Sequence, residues 1–183
     1  MSIKKQAELM FSDINQSTQY KHVFKTVQSF DDPRSIAIWP VVFHYLSKDQ
    51  LSKNGVPSYS ENAMFYAGHL YAMSGQTATQ ESNALKLNPF FKALALSDPL
   101  NDTLAKRVQL SFKTVSFESM VLSLSQFQRI MQKNNPKLID YGQLAQDLYN
   151  MQFNYDSYLQ VIRKWSQDFF TYSKASLKPK DKD

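Results

Sequence analysis

The side chains of this sequence that could carry chemistry are three histidines, sixteen carboxylates and twenty-one lysines and arginines, with no cysteine in 183 residues. The missing cysteine excludes disulfides, thiolate zinc sites, iron–sulfur clusters and cysteine nucleophiles together, and it suits a reducing cytoplasm. His22, His44 and His69 fall on different segments. None has a second histidine or a carboxylate at ligand spacing on one helical face, so no metal site is expected. His69 flanks the packed face of its segment and reads as a hydrogen-bonded core or boundary residue. Phosphate-cradling loops need glycine so that backbone N–H groups can approach the anion, and no glycine-rich run followed by Lys-Ser or Lys-Thr exists here. Neither a Gly-x-Ser-x-Gly elbow nor a triad order is visible. Carboxylates for metal-dependent nuclease chemistry would have to converge, yet Asp140 and Asp156 read as helix caps and Asp168 as the ion-pair partner of Lys164, four residues before it. Asp147 alone has no evident assignment. The reading is therefore no catalytic residue, no metal and no cofactor; a small helical enzyme would have to rest on Asp147 or a histidine.

The cations carry a clearer message. Residues 1–83 hold seven basic and seven acidic side chains, and residues 138–183 hold six of each. The net charge of +5 therefore resides between Ala84 and Lys137, where eight basic residues face three acidic ones. A segregated charge of one sign is what an anionic polymer reads, although a solvated helix face gives the same count. Lys106, Arg107 and Lys113 fall off the stripe formed by Leu104, Val108 and Phe112, with Lys106 and Lys113 one heptad apart. Arg129 and Lys133 lie opposite Met120, Leu124 and Phe127, and Arg163 and Lys164 avoid the face of Leu159, Ile162 and Trp165. The aromatic residues space as core rather than as base-stacking platforms, so backbone contact without sequence readout is the expectation.

The elements that must position these cations read as helices nearly throughout, because apolar residues recur at three and four and only four glycines occur. A first helix spans about residues 2–30, with a break near Ser17 and Thr18. Asp32 and Pro33 read as an N-cap and first helical position, and a second start follows at Trp39 and Pro40. Residues 47–58 form a loop. A helix over about 60–73 places Ala63, Tyr66, Ala67, Leu70 and Tyr71 on one side and ends at Gly75, and residues 76–83 are polar and mobile. Asn88 and Pro89, Asp98 and Pro99, and Ser116 open the next three helices. Asp140 with Gln143 forms an Asp variant of the capping box, with Ile139 stapled to Leu144. A last helix begins after Asp156, its stripe running Leu159, Ile162, Trp165, Phe169, Tyr172.

The expected fold is all-α: two packed helical bundles in one elongated chain, an N-terminal helical domain at 1–80, a basic C-terminal bundle at 84–173 and a disordered tail at 174–183. Glu8 and Asp13 interrupt any signal-peptide core, and no run approaches the roughly eighteen apolar residues of a membrane span, so a cytoplasmic protein without membrane contact is expected.

Read together, WPVVFHYL, AMFYAGHLYAM, the pair Lys106 and Arg107, and LIDYGQLAQDLYNMQ followed by VIRKWSQDFF resemble the CasB family, the small subunit of the type I-E CRISPR surveillance complex Cascade. The resemblance covers most of residues 33–173 and is most specific in the C-terminal stretch. It implies a non-catalytic, all-helical subunit, present as a pair, that works with guide RNA, target DNA and the other Cascade subunits and steadies target and displaced strands of the R-loop in antiviral defence. Carried over by position, it nominates Lys92, Lys106, Arg107, Arg129, Arg163 and Lys164, with Lys86, Lys113 and Lys133 behind them. In NPFFKAL, Lys92 stands at a family arginine, which keeps charge but loses the bidentate fork. Leu124, Ser125 and Gln126 stand where Leu-Arg-Arg is common, and Gln167 replaces an arginine. The competing reading is a helical adaptor whose basic segment binds an acidic protein partner.

Overall fold

Ser2 opens helix α1 (Ile3–Gln16) by accepting a hydrogen bond from the Lys5 N–H. The break expected near Ser17 is one residue serving two helices: its N–H closes α1 on Asp13, and its hydroxyl accepts from Tyr20 at the start of α2 (Thr18–Thr26). The computed structural model describes residues 1–77 and 87–175. Among these the remaining elements are a 3-10 turn (Pro33–Ala37) capped by Asp32, α3 (Trp39–His44), α4 (Tyr59–Ser74), α5 (Phe90–Ser97), α6 (Asp102–Ser111), α7 (Phe117–Lys133), α8 (Tyr141–Asn150) and α9 (Tyr155–Phe170). No strand occurs among the described residues; one isolated bridge pairs Asn88 with Ile139. The fold is all-α. No helix among the described residues is long and apolar enough to cross a membrane.

Several caps fall where the sequence places them. Ser116 caps α7 and Asp140 caps α8, accepting from Gln143 N–H at 2.8 Å. The Gln143 side chain does not return to Asp140, however; it donates to Asp147, so only half of the expected capping box forms. Two caps move. Asn101, not Asp98, caps α6, and the Asp98 carboxylate instead accepts from the Asn101 side chain at 2.7 Å. Asn154, not Asp156, caps α9, leaving Asp156 in the first turn, where the helix dipole favours a carboxylate. In both cases an asparagine stands close by, and its amide oxygen reaches the free N–H groups. Asn88 caps nothing: its backbone pairs with residues 138–140 through Leu138 O (3.0 Å) and Asp140 N–H (2.9 Å).

Helix α4 is the centre of the molecule. Ser58 and Glu61 form a complete capping box at its start, and Gly75 ends it at φ 70. The sequence suggests one apolar side, but the helix is buried nearly all round, because α1, α2, α3, α7 and α8 each pack against it. Helix α8 also packs along α1, while α5, α6, α7 and α9 assemble beside this group through α5–α9, α5–α7 and α6–α7 contacts. Packing thus does not follow the division expected near residues 76–83: α8, late in the sequence, sits among the N-terminal helices, and one buried apolar cluster runs through both groups. On α9, Ile162, Trp165 and Phe169 are buried as expected, but Leu159 is exposed, Tyr158 and Val161 are buried, and Tyr172 lies exposed past the helix end. Residues 78–86 and 176–183, which include most of the expected polar segment and tail, lie outside the described residues.

His69 is fully enclosed on α4, with Nδ1 2.6 Å from the Phe24 carbonyl oxygen. Burial, aided by the nearby Arg129 charge, pushes its pKa below the ordinary 6.5, against the opposing effect of the Phe24 hydrogen bond. The unfolded chain therefore binds a proton that the folded chain refuses. Stability should fall as pH drops below 6.5, with a slope that stays under the limit of about 1.4 kcal/mol per pH unit set by one whole proton. Urea midpoints between pH 7 and 5 for wild type and H69Q test this: the variant should lose that slope, and parallel curves would reject it.

Candidate nucleic-acid interface

Helix α6 buries Leu104, Ala105, Val108 and Ser111, which turns Lys106 and Arg107 to solvent; Lys113 follows just past its end, also exposed. Helix α7 buries Met120, Val121, Leu124, Phe127, Gln128 and Met131, leaving Arg129 and Lys133 exposed. The two helices pack together, and the Arg107 guanidinium donates to Gln126 Oε1 at 3.3 Å across the contact. Gln126, Arg129 and Lys133 follow one another at three and four residues, so they line one edge of α7. Arg107 is thereby placed beside that edge, with Lys106 on α6 and Lys113 just past its end. A shallow groove of about 260 Å³ runs between the helices, lined by Arg107, Thr114, Ser123 and Gln126 among others. Among the described residues, none of these five cations has a carboxylate within ion-pair distance.

Two of the expected contacts are engaged elsewhere. Lys164 Nζ lies 3.0 Å from both oxygens of Asp147, which is 6% exposed and also accepts from Trp165 Nε1 (2.9 Å) and Gln143 Nε2 (2.9 Å). The Lys164–Asp168 pair expected from four-residue spacing is thus replaced by one across the α8–α9 contact, and Asp147 acquires its assignment as a buried acceptor of three donors. Lys92 is half-buried, with Nζ 4.3 Å from the centre of the Tyr172 ring. Asp168 sits nearby. Burial raises its pKa, the charges of Lys164 and Lys92 lower it and that of Asp147 raises it. Lys92 and Lys164 therefore work partly against internal carboxylates, whereas Arg163 is exposed on α9. Lys86 lies outside the described residues.

Gln126, named from the sequence only as a departure from the family's arginine, stands on this edge and accepts from Arg107. Its signal was its position three residues before Arg129, on the same edge. Among the described residues no three histidine or carboxylate side chains gather as a metal site would require. A surface of this kind can hold phosphates by charge and by hydroxyl and amide hydrogen bonds; it has no feature that distinguishes one base from another.

A direct sequence comparison with curated proteins finds no match. The fold is similar to the crystal structure of CasB from Thermobifida fusca, with a TM-score of 0.64 over 91% of this chain and 94% of that one, at 15% identity. The family profile of CRISPR-associated protein Cse2 matches residues 26–170, well over half of the sequence. With the helical order, the exposed cationic edge and that match together, the chain belongs to the Cse2 (CasB) family of CRISPR-associated proteins.

Proposed function

We propose that this chain is a non-catalytic subunit of the CRISPR surveillance complex Cascade, acting in antiviral defence with guide RNA, target DNA and the other subunits. In this reading its α6–α7 edge holds target and displaced strands of the R-loop by backbone contact, and the chain works as one of a pair. The observation that carries the reading is the edge itself: five exposed cations, Lys106, Arg107, Lys113, Arg129 and Lys133, free of carboxylate partners among the described residues. Arg163 ranks next. Lys92 and Lys164 contribute less, because inward contacts already use their charge.

No proton needs to move in such a mechanism. Exchanging a DNA duplex for an RNA–DNA hybrid is nearly balanced in free energy, so a few phosphate contacts suffice to make the open state persist. Five cations on single-stranded DNA give the added binding a salt slope of about −3.5, from roughly 0.7 per neutralised phosphate. Charge reversal at Lys106 and Arg107 in the assembled complex should weaken target retention, flatten that slope to about −2 and leave sequence preference unchanged. Equal retention by variant and wild type across a salt series would sink the assignment.

A further inference from the structure

Five large apolar side chains that remain exposed come from four separate parts of the chain and meet at one place. Val56 ends the 47–58 loop, Tyr59 starts α4, Val115 lies between α6 and α7, and Phe153 and Tyr155 flank the turn from α8 into α9; their exposures run from 46% to 65%. All but Phe153 line a groove of about 460 Å³, and the Phe153 ring stands edge-on to Tyr59 at 5.6 Å. None of the five lies on a buried helical face, so the fold does not need them there. An apolar patch gathered from distant segments is a mark of an interaction surface.

The groove is also fixed in shape. Gln152 Nε2 donates to the Tyr59 carbonyl at 3.0 Å, and its Oε1 accepts from Asn62 at 3.2 Å, which ties the α8–α9 turn to α4. The Tyr158 hydroxyl donates to the Thr114 carbonyl, which ties α9 to the loop that carries Val115. A held groove orders few side chains on binding. Its charge is acidic: Glu118 is part of the lining, no lysine or arginine is, and the exposed Asp156 directly follows Tyr155.

We infer that this groove docks a partner polypeptide of the complex, through a segment whose apolar side chains enter between Tyr59, Val115 and Tyr155 and whose lysine or arginine neighbours meet Glu118 and Asp156. The inference rests on the subunit reading above and supplies the surface and partner chemistry which that reading lacks. Nucleic acid is the poorer occupant, because a phosphate chain would face two carboxylates with no cation in the lining.

The test places p-benzoylphenylalanine at Tyr155 of the full chain, illuminates the purified complex and sequences the attached peptide. The expected product is a peptide of another subunit with lysine or arginine within about one helical turn of the attachment point. In parallel, Glu118→Lys with Asp156→Lys should lower incorporation of the chain about tenfold, while the isolated variant retains single-stranded oligonucleotide at least as tightly as wild type does. Attachment to a second copy of this chain, to nucleic acid or to a peptide without basic residues would overturn the inference, as would unchanged incorporation. A chain that co-purifies with other CRISPR-associated proteins yet attaches to nothing defeats the docking surface alone. A chain that co-purifies with none defeats the subunit reading and the docking surface with it.

Discussion

Replacing Trp165 with alanine is expected to lower the unfolding free energy by about 3–5 kcal/mol, the range for truncating a large buried aromatic residue. Trp165 is 2% exposed, its ring lies 5.0 Å from that of Phe91 on α5, and its Nε1 donates to Asp147. The truncation therefore opens a cavity between α5 and α9 and removes one of the three donors that satisfy the buried Asp147 oxygens. Trp165→Phe separates the two effects. It keeps most of the ring and loses the hydrogen bond, and should cost about 2 kcal/mol, the scale of a hydrogen bond to a charged acceptor. Urea unfolding at neutral pH reads both variants. Coincident midpoints for wild type and W165A would show that the α5–α9 contact contributes nothing to the fold.

The second large effect concerns a residue with no side chain. A Cβ built on Gly68 would lie 2.6 Å from Cε1 of Phe24 and 3.1 Å from Cε of Met10. Phe24 is fully buried on α2, with the Phe65 ring beside it, so its ring cannot swing clear. Gly68→Ala should therefore destabilise by about 1–3 kcal/mol through overpacking, even though alanine is the better helix former by about 1 kcal/mol. Gly142 supplies the contrast. There the intruding Cβ meets Cγ of Glu8 at 2.9 Å, a side chain free to move toward solvent. Gly142→Ala should be neutral or mildly stabilising. Equal destabilisation at the two sites, or a larger loss at Gly142, would reject the argument from the rigidity of the neighbour.

Where a feature is decided within three or four residues, the sequence announced it. Ser17, Asp32 with Pro33, Ser116 and Asp140 cap as their local hydrogen bonds require, and Gly75 ends α4 because only glycine takes that backbone without strain. Asp98 and Asp156 misled because an asparagine nearby, Asn101 or Asn154, offers the same short acceptor, and spacing cannot rank the two. The surroundings of α4 were hidden for a different reason. Five helices cover it, and periodicity reports only that residues are apolar, not how many neighbours they meet. On the candidate surface, cations lying off the buried stripes of α6 and α7 were legible as exposed, and they are. The neutralisation of Lys164 was not, since Asp147 lies 17 residues away and meets it only after α8 and α9 pack. Similarity to the CasB family was readable in the C-terminal stretch, where the apolar, acidic and aromatic residues recur in a fixed order.

The placement of α8 beside α1 has a consequence for the making of the protein. Tyr141, Leu144 and Leu148 complete the core that Ala7, Met10, Phe11 and Ile14 begin, and Lys4 pairs with Asp140 across 136 residues of sequence. During translation at roughly 5–20 residues per second, α1 leaves the ribosome some ten seconds before its partner exists. Helices α2, α3 and α4 can cover part of its apolar stripe in that interval, but the side that meets α8 stays open until α8 is made. The core around α1 is therefore completed by one of the last helices to be made.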